Sequence, residues 1–166
     1  VSKQFWTFLG IGLAVVAAVV SITWVGSKGS HLELDGNILK VRTFQMNPHA
    51  TLVLVDFRAT NPSNVNWVVK TVEVELVPAS GEPATGMSIS KPDIESVFKY
   101  EKFLGQKYND VLSIRDQIAP HQTVDRMVGA RFELPESAIE ARKTIRLRIV
   151  DMDGAAAELT EGRGGR

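Results

Sequence analysis

Apolar positions along this chain follow two periods. From residue 5 to residue 25 the stretch FWTFLGIGLAVVAAVVSITWV is apolar on every helical face and carries no charge. A helix crossing the ~30 Å hydrocarbon layer needs about 20 such residues, so the pattern predicts a single transmembrane helix over residues 5–25. Thr7, Ser21 and Thr23 fit it, because their hydroxyls bond back to helix carbonyls. Trp6 and Trp24 fall about 27 Å apart along such a helix, at the depths where indole rings anchor in headgroups. A cleaved leader would need a shorter apolar run and small residues before the cut. Here the run ends in Ile22-Thr23-Trp24-Val25, so the reading is an uncleaved anchor behind a short tail, residues 1–4.

Beyond a flexible linker at residues 26–30, the period changes to two. In residues 51–60, Val53, Val55, Phe57 and Ala59 share one face, while Asp56, Arg58 and Thr60 share the other. That is a half-buried strand. The pattern returns in residues 71–77, where Val72, Val74 and Leu76 oppose Glu73 and Glu75. It returns again in residues 144–150, where Ile145, Leu147 and Ile149 oppose Arg146 and Arg148. Were these two strands neighbours, their acidic and basic rows would pair across the sheet. Further strands are expected at residues 32–34, 38–44, 112–115, 124–132 and 155–159. Asp35-Gly36-Asn37 and Asp151-Met152-Asp153-Gly154 read as hairpin turns. Asn47-Pro48 and Asn61-Pro62 read as turn starters, since a residue before proline is pushed out of the helical region. Many short strands with such turns predict a sandwich of two antiparallel sheets over residues 31–161.

Two stretches depart from the strand period. In residues 92–104, Ile94, Val97, Phe98, Glu101 and Leu104 share one helical side, with Asp93 and Glu95 in the first turn. Phe98 and Tyr100 also fit a strand there. Residues 135–141 read as a helical turn entered at Pro135. The tail, residues 162–166, is expected to be disordered.

Composition narrows the function classes. Lysine and arginine number 19 against 19 aspartates and glutamates, and the part beyond residue 30 is mildly acidic, so no nucleic-acid surface is expected. The chain has no cysteine, which removes disulfides and thiolate chemistry. His31, His49 and His121 lack metal-ligand spacing. Asp151, Asp153 and Gly154 match only a fragment of a calcium loop. No Gly-rich phosphate loop and no nucleophile elbow occurs. No catalytic residues, metal or cofactor are therefore expected, and carboxylates such as Asp56, Glu73 and Glu75 read as solvated strand faces.

Phe57-Arg58-Ala59-Thr60-Asn61-Pro62-Ser63-Asn64 resembles the late-embryogenesis-abundant type 2, water-stress-and-hypersensitive-response domain family, where a strand runs into an Asn-Pro turn. Residues 118–123, with Pro120, are similar to that family's later proline turn. The resemblance implies a fibronectin/immunoglobulin-like antiparallel β-sandwich with a short helical insertion, without a catalytic site, and a structural role for Asn61 and Pro62. The full expected fold class is all-β, with this sandwich preceded by the transmembrane helix.

Within residues 5–25, Gly10, Ala14 and Ala18 recur every four residues, and Ala17 and Ser21 broaden the stripe, a surface on which another helix packs closely. The expected protein is a single-pass, membrane-anchored, non-catalytic accessory or interaction subunit of a larger membrane complex. Its partners would be the lipid bilayer and integral membrane protein subunits, with the domain on the periplasmic or extracellular side. Lys3 and Lys28 leave that orientation nearly balanced. The alternative is a tethered module that binds an apolar ligand or protects under stress. Trp67, Phe98, Tyr100, Phe103 and Tyr108 are the candidate docking or ligand contacts, with a cleft expected near Trp67 and Phe103.

Overall fold

Strand β2 (Ala50–Thr60) shows why this chain folds as it does. The computed structural model describes residues 12–13, 15–17 and 33–162. In it, β2 runs between β1 (Asp35–Asn47) and β8 (Thr123–Phe132), antiparallel to both. Val53, Val55, Phe57 and Ala59 point to the sandwich interior. Leu52 and Leu54 are equally buried on the opposite face. Both faces of this sheet are covered, so the strand opens as a continuous apolar run before it alternates.

The second sheet is ordered β10 (Ala156–Thr160), β9 (Arg142–Asp151), β3 (Trp67–Pro78) and β4 (Ala84–Thr85). Strand β3 carries a bulge between Val69 and Thr71 in its pairing with β9. One extra residue shifts the alternation by one. Trp67 and Val69 therefore face inward before the bulge, and Val74 and Leu76 after it. Strands β3 and β9 are neighbours, and their charged rows meet: Glu75 lies opposite Arg146 and Glu73 opposite Arg148, with ion pairs of 2.8 and 3.2 Å.

Short strands cap the outer edges. β5 (Met87–Ser88) and β6 (Asp110–Val111) both pair with β8, and β7 (Gln117–Ile118) pairs with β3. Between β5 and β6 the chain makes helix α1 (Lys91–Tyr100) and a 3-10 turn, Lys102–Leu104. Ser90 caps α1, with Pro92 in its first turn. This insertion lies on the outer face of the first sheet, where Ile94 and Leu104 pack with Leu52, Leu54 and Met127 in a second core. Helix α2 (Glu136–Glu140) links β8 to β9, and Pro135 stands at its N-cap.

Several expectations are corrected. Among the described residues no helix is long and apolar enough to cross a membrane. Helix α1 has 10 residues, about half of what a bilayer requires. The fold is a β-sandwich without a transmembrane helix among those residues. The chain divides into Val1–Leu32 and Glu33–Arg166. In the first unit, Gly12, Leu13, Val15, Val16 and Ala17 are helical. Trp6, Gly10, Ala14, Ala18, Ser21 and Trp24 lie outside the described residues. The sandwich is also not purely antiparallel, since β6 joins β8 in parallel.

Asp35-Gly36-Asn37 is no turn but the start of β1; a side chain at Gly36 would run into the Arg58 carbonyl on the facing strand. Residues 112–115 form no strand. Arg115 takes a left-handed backbone, φ 72°, and its N–H donates to the Val69 carbonyl at 2.7 Å.

Candidate functional site

The two sheets meet differently along their two long sides. On one side β1 and the end of β10 touch through a bridge between Ile38 and Glu161, locked by Arg142 donating to Glu161 at 2.7 and 3.0 Å. On the other side β8 faces β3, and the short edge strands cover only the ends of each. β5 holds β8 at Ala130 and Arg131, while β6 holds it at Arg126 and Met127. Likewise β7 holds β3 at Trp67 and Val68, and β4 at Glu75 and Leu76. Single hydrogen bonds continue these edges inward: Ile89 and Leu112 donate to the Gly129 and Met127 carbonyls of β8, and Gly86 donates to the Val74 carbonyl of β3.

A cavity of about 530 Å³ lies between β3 and β8. Val72 and Val74 of β3 form one wall, and Val128 and Gly129 of β8 another. Ile89, Pro92 and residues 111–114 complete it, with Lys91, Ser88, Ser90, Ser113 and Thr71 among its polar members. Ile114, 67 % exposed, stands at its mouth. The volume suits a small organic molecule, and the few polar groups among apolar walls match the usual make-up of a ligand pocket. Two of its hydroxyls are engaged within the protein. Ser88 Oγ donates to the Val72 carbonyl at 2.9 Å, and Ser90 Oγ donates to Asp93 at 2.5 Å. Neither of these two serines is hydrogen-bonded to a histidine.

Beside the cavity, the insertion is fastened by a buried ion pair. Arg42 Nη2 meets Asp56 Oδ2 at 2.7 Å, with both side chains under a tenth exposed. Arg42 Nη1 also donates to the carbonyls of Leu104 and Gln106 at 3.0 Å each. The Phe98 ring lies 4.9 Å from the guanidinium carbon, and Asn109 donates to the other Asp56 oxygen at 2.8 Å. Asp56 is thus not a solvated strand carboxylate but a buried one, 3 % exposed. Arg42 escaped the sequence reading because nothing in β1 distinguishes it from a surface arginine. The nearby exposed pair Arg58–Asp125 is of the ordinary kind. There the hydrogen bonds from Arg58 hold the Asp125 carboxyl below the usual carboxylate range.

The expected contact residues separate. Trp67 is fully buried, because it faces inward ahead of the β3 bulge, and so cannot meet a partner. Phe98 is half-buried against Arg42. Tyr100, Phe103 and Tyr108 stand out at 73, 99 and 71 % exposure. The cleft expected near Trp67 and Phe103 is instead walled by β3, β8 and both ends of the insertion. Asn61 is fully buried. Its amide donates to the Val65 and Ile118 carbonyls at 2.8 and 2.9 Å, and its oxygen accepts from Ser63, while Pro62 is exposed beside it.

Among the described residues no group of three His, Cys, Asp or Glu could hold a metal. The calcium-like fragment has another use. Asp151 accepts from the N–H groups of Val68 and Asp153 at 2.5 and 2.8 Å, pinning the β9–β10 hairpin. His121 is bonded to Asn64 at 3.0 Å, and His49 is exposed.

No protein-family model and no curated protein matches the chain. The resemblance to the late-embryogenesis-abundant domain thus rests on the residues quoted for it alone. Solved structures similar to it include a conserved hypothetical protein from Bacillus anthracis at 10 % identity, covering 76 % of this chain and 87 % of that one with a TM-score of 0.40. The putative ApaA protein from Bordetella pertussis is 15 % identical, covering 80 % and 97 % with a TM-score of 0.38. An uncharacterised β-sandwich protein from Clostridium difficile is 12 % identical, covering 78 % and 80 % with a TM-score of 0.35.

Proposed function

We propose that the domain is a non-catalytic binding module that holds a small apolar molecule in the cavity between β3 and β8. The observation that carries this reading is the cavity itself, about 530 Å³ with walls from Val72, Val74, Ile89, Val111, Leu112 and Val128. A space of that size at a sheet edge binds by shape and desolvation.

The test is binding of a neutral apolar fluorophore, N-phenyl-1-naphthylamine, to the full chain. Its emission should rise on binding with one site per chain. Val72→Trp puts a ring into the space and should abolish the signal. The variant's melting temperature should be held or raised, since a filled cavity gains contacts. An unchanged titration in Val72→Trp would overturn the reading, as would a chain that binds no fluorophore while fully folded.

A further inference from the structure

The insertion between β5 and β6 is held to its sheet in two ways. At its ends backbone bonds fix it, with Ile89 donating to the Gly129 carbonyl at 2.9 Å and Leu112 to the Met127 carbonyl at 2.8 Å. From Lys91 to Tyr108, backbone bonds among the described residues run within the insertion itself. The polar tie from that stretch to the sheet is Arg42, which donates to the Leu104 and Gln106 carbonyls. Asn109, just beyond, donates to Asp56, the partner of Arg42. One buried ion pair thus carries the polar fastening of the insertion's middle.

The same middle is joined to the cavity by packing. Ile89 and Val111 line the cavity and also pack in the second core, which holds Leu104 and Phe98 as well. The Phe98 ring in turn lies over the Arg42 guanidinium. Side chains therefore touch in series from the cavity wall to Arg42. A close-packed series of this kind passes a displacement on rather than absorbing it.

We infer that the insertion is a strap whose two ends wall the cavity, and that Arg42 is its clasp. Seating a ligand against Ile89 and Val111 and closing Arg42 on Leu104 and Gln106 are one cooperative event. The inference rests on the cavity being a binding site. Arg42 is a positioning residue, since it is not among the cavity's lining and acts through the strap. A ligand that prefers the closed strap depopulates the open one, and by reciprocity whatever opens the clasp weakens the ligand.

The test uses the full chain and N-phenyl-1-naphthylamine, at a temperature where each variant is folded by circular dichroism. Arg42→Met with Asp56→Leu removes the clasp without stranding a charge, and should weaken fluorophore binding about fivefold or more. Leu159→Ala is the comparison. It destabilises the fold from β10, where Leu159 is buried away from the cavity lining, and should leave the affinity unchanged. A second readout needs no variant. The Gly105 N–H donates to the Lys102 carbonyl at 3.1 Å, within the turn that Arg42 holds. Saturating fluorophore should slow its amide exchange severalfold in the unaltered chain, and should not do so in the double variant. A chain that binds no fluorophore removes the cavity reading and this one with it. Full-strength binding by the folded double variant, or an equal loss in Leu159→Ala, removes the coupling and leaves the cavity reading standing. So does a bound fluorophore that leaves Gly105 exchange as it was.

Discussion

Arg42 and Asp56 are the residues whose removal the domain should feel most. Each is a charge nearly excluded from water, tolerable only because the other, and the groups around it, complete its bonding. Arg42→Met leaves the Asp56 carboxylate buried with Asn109 as its remaining side-chain donor. It also frees the Leu104 and Gln106 carbonyls. The expected loss is about 3–5 kcal/mol in urea unfolding. Adding Asp56→Leu to that variant removes the stranded charge, and the double change should be more stable than Arg42→Met alone. A double variant as unstable as the sum of its single changes would mean that the two residues do not act as a pair. At this scale sequence reads exposed residues well and buried polar ones badly. Glu73 and Glu75, set opposite arginines by the strand period, pair as the pattern implies. Asp56 has the same period and the same neighbours in sequence, yet a distant segment covers it. Period two reports which side of a strand a residue occupies, and is silent on what lies above that side.

Elements were legible where one periodicity held over several consecutive residues. β2, β3 and β9 declare themselves by alternation in their regular stretches, and the β9–β10 hairpin at Asp151–Gly154 by composition. The failures lie where tertiary contact overrode local preference. Gly36 reads as a turn residue but serves as a close crossing point between strands, and residues 112–115 break because Arg115 bonds back to β3. The cavity was invisible for the same reason, since it exists between the ends of four short strands with no period of their own. Gly129 shows how tightly the insertion is fitted to the sheet. A methyl group there would stand 2.9 Å from Ile94 Cδ1 and 3.1 Å from Leu54 Cδ2. Gly129→Ala must therefore displace the Ile94 side chain, and should cost about 1–3 kcal/mol by overpacking. Pairing it with Ile94→Val shortens the obstructing side chain and should restore part of that loss in thermal unfolding. No restoration would show that the strain arises elsewhere than at the α1 contact.

Across the whole domain, the two sides of the sandwich are built for different tasks. The β1–β10 side is closed by a bridge and an arginine–glutamate pair, whereas the β3–β8 side is held by strands of two residues each and single hydrogen bonds beside them. Local opening is easiest where few backbone bonds and few buried side chains must be released together. Amide exchange under native conditions should therefore rank the molecule. The N–H groups of β2, flanked on both edges and covered on both faces, should exchange only through global unfolding. Those of β5 and β6 should exchange faster, with little dependence on denaturant. An apolar molecule seated in the cavity touches both short strands' surroundings at once, so it should slow β5 and β6 before it slows β2. If β5 and β6 instead exchange as slowly as β2 in the free protein, the open side belongs to the global unit. A ligand could then reach the deep end of the cavity only through the mouth at Ile114, and bulky substitutions at that residue would control its rate of entry.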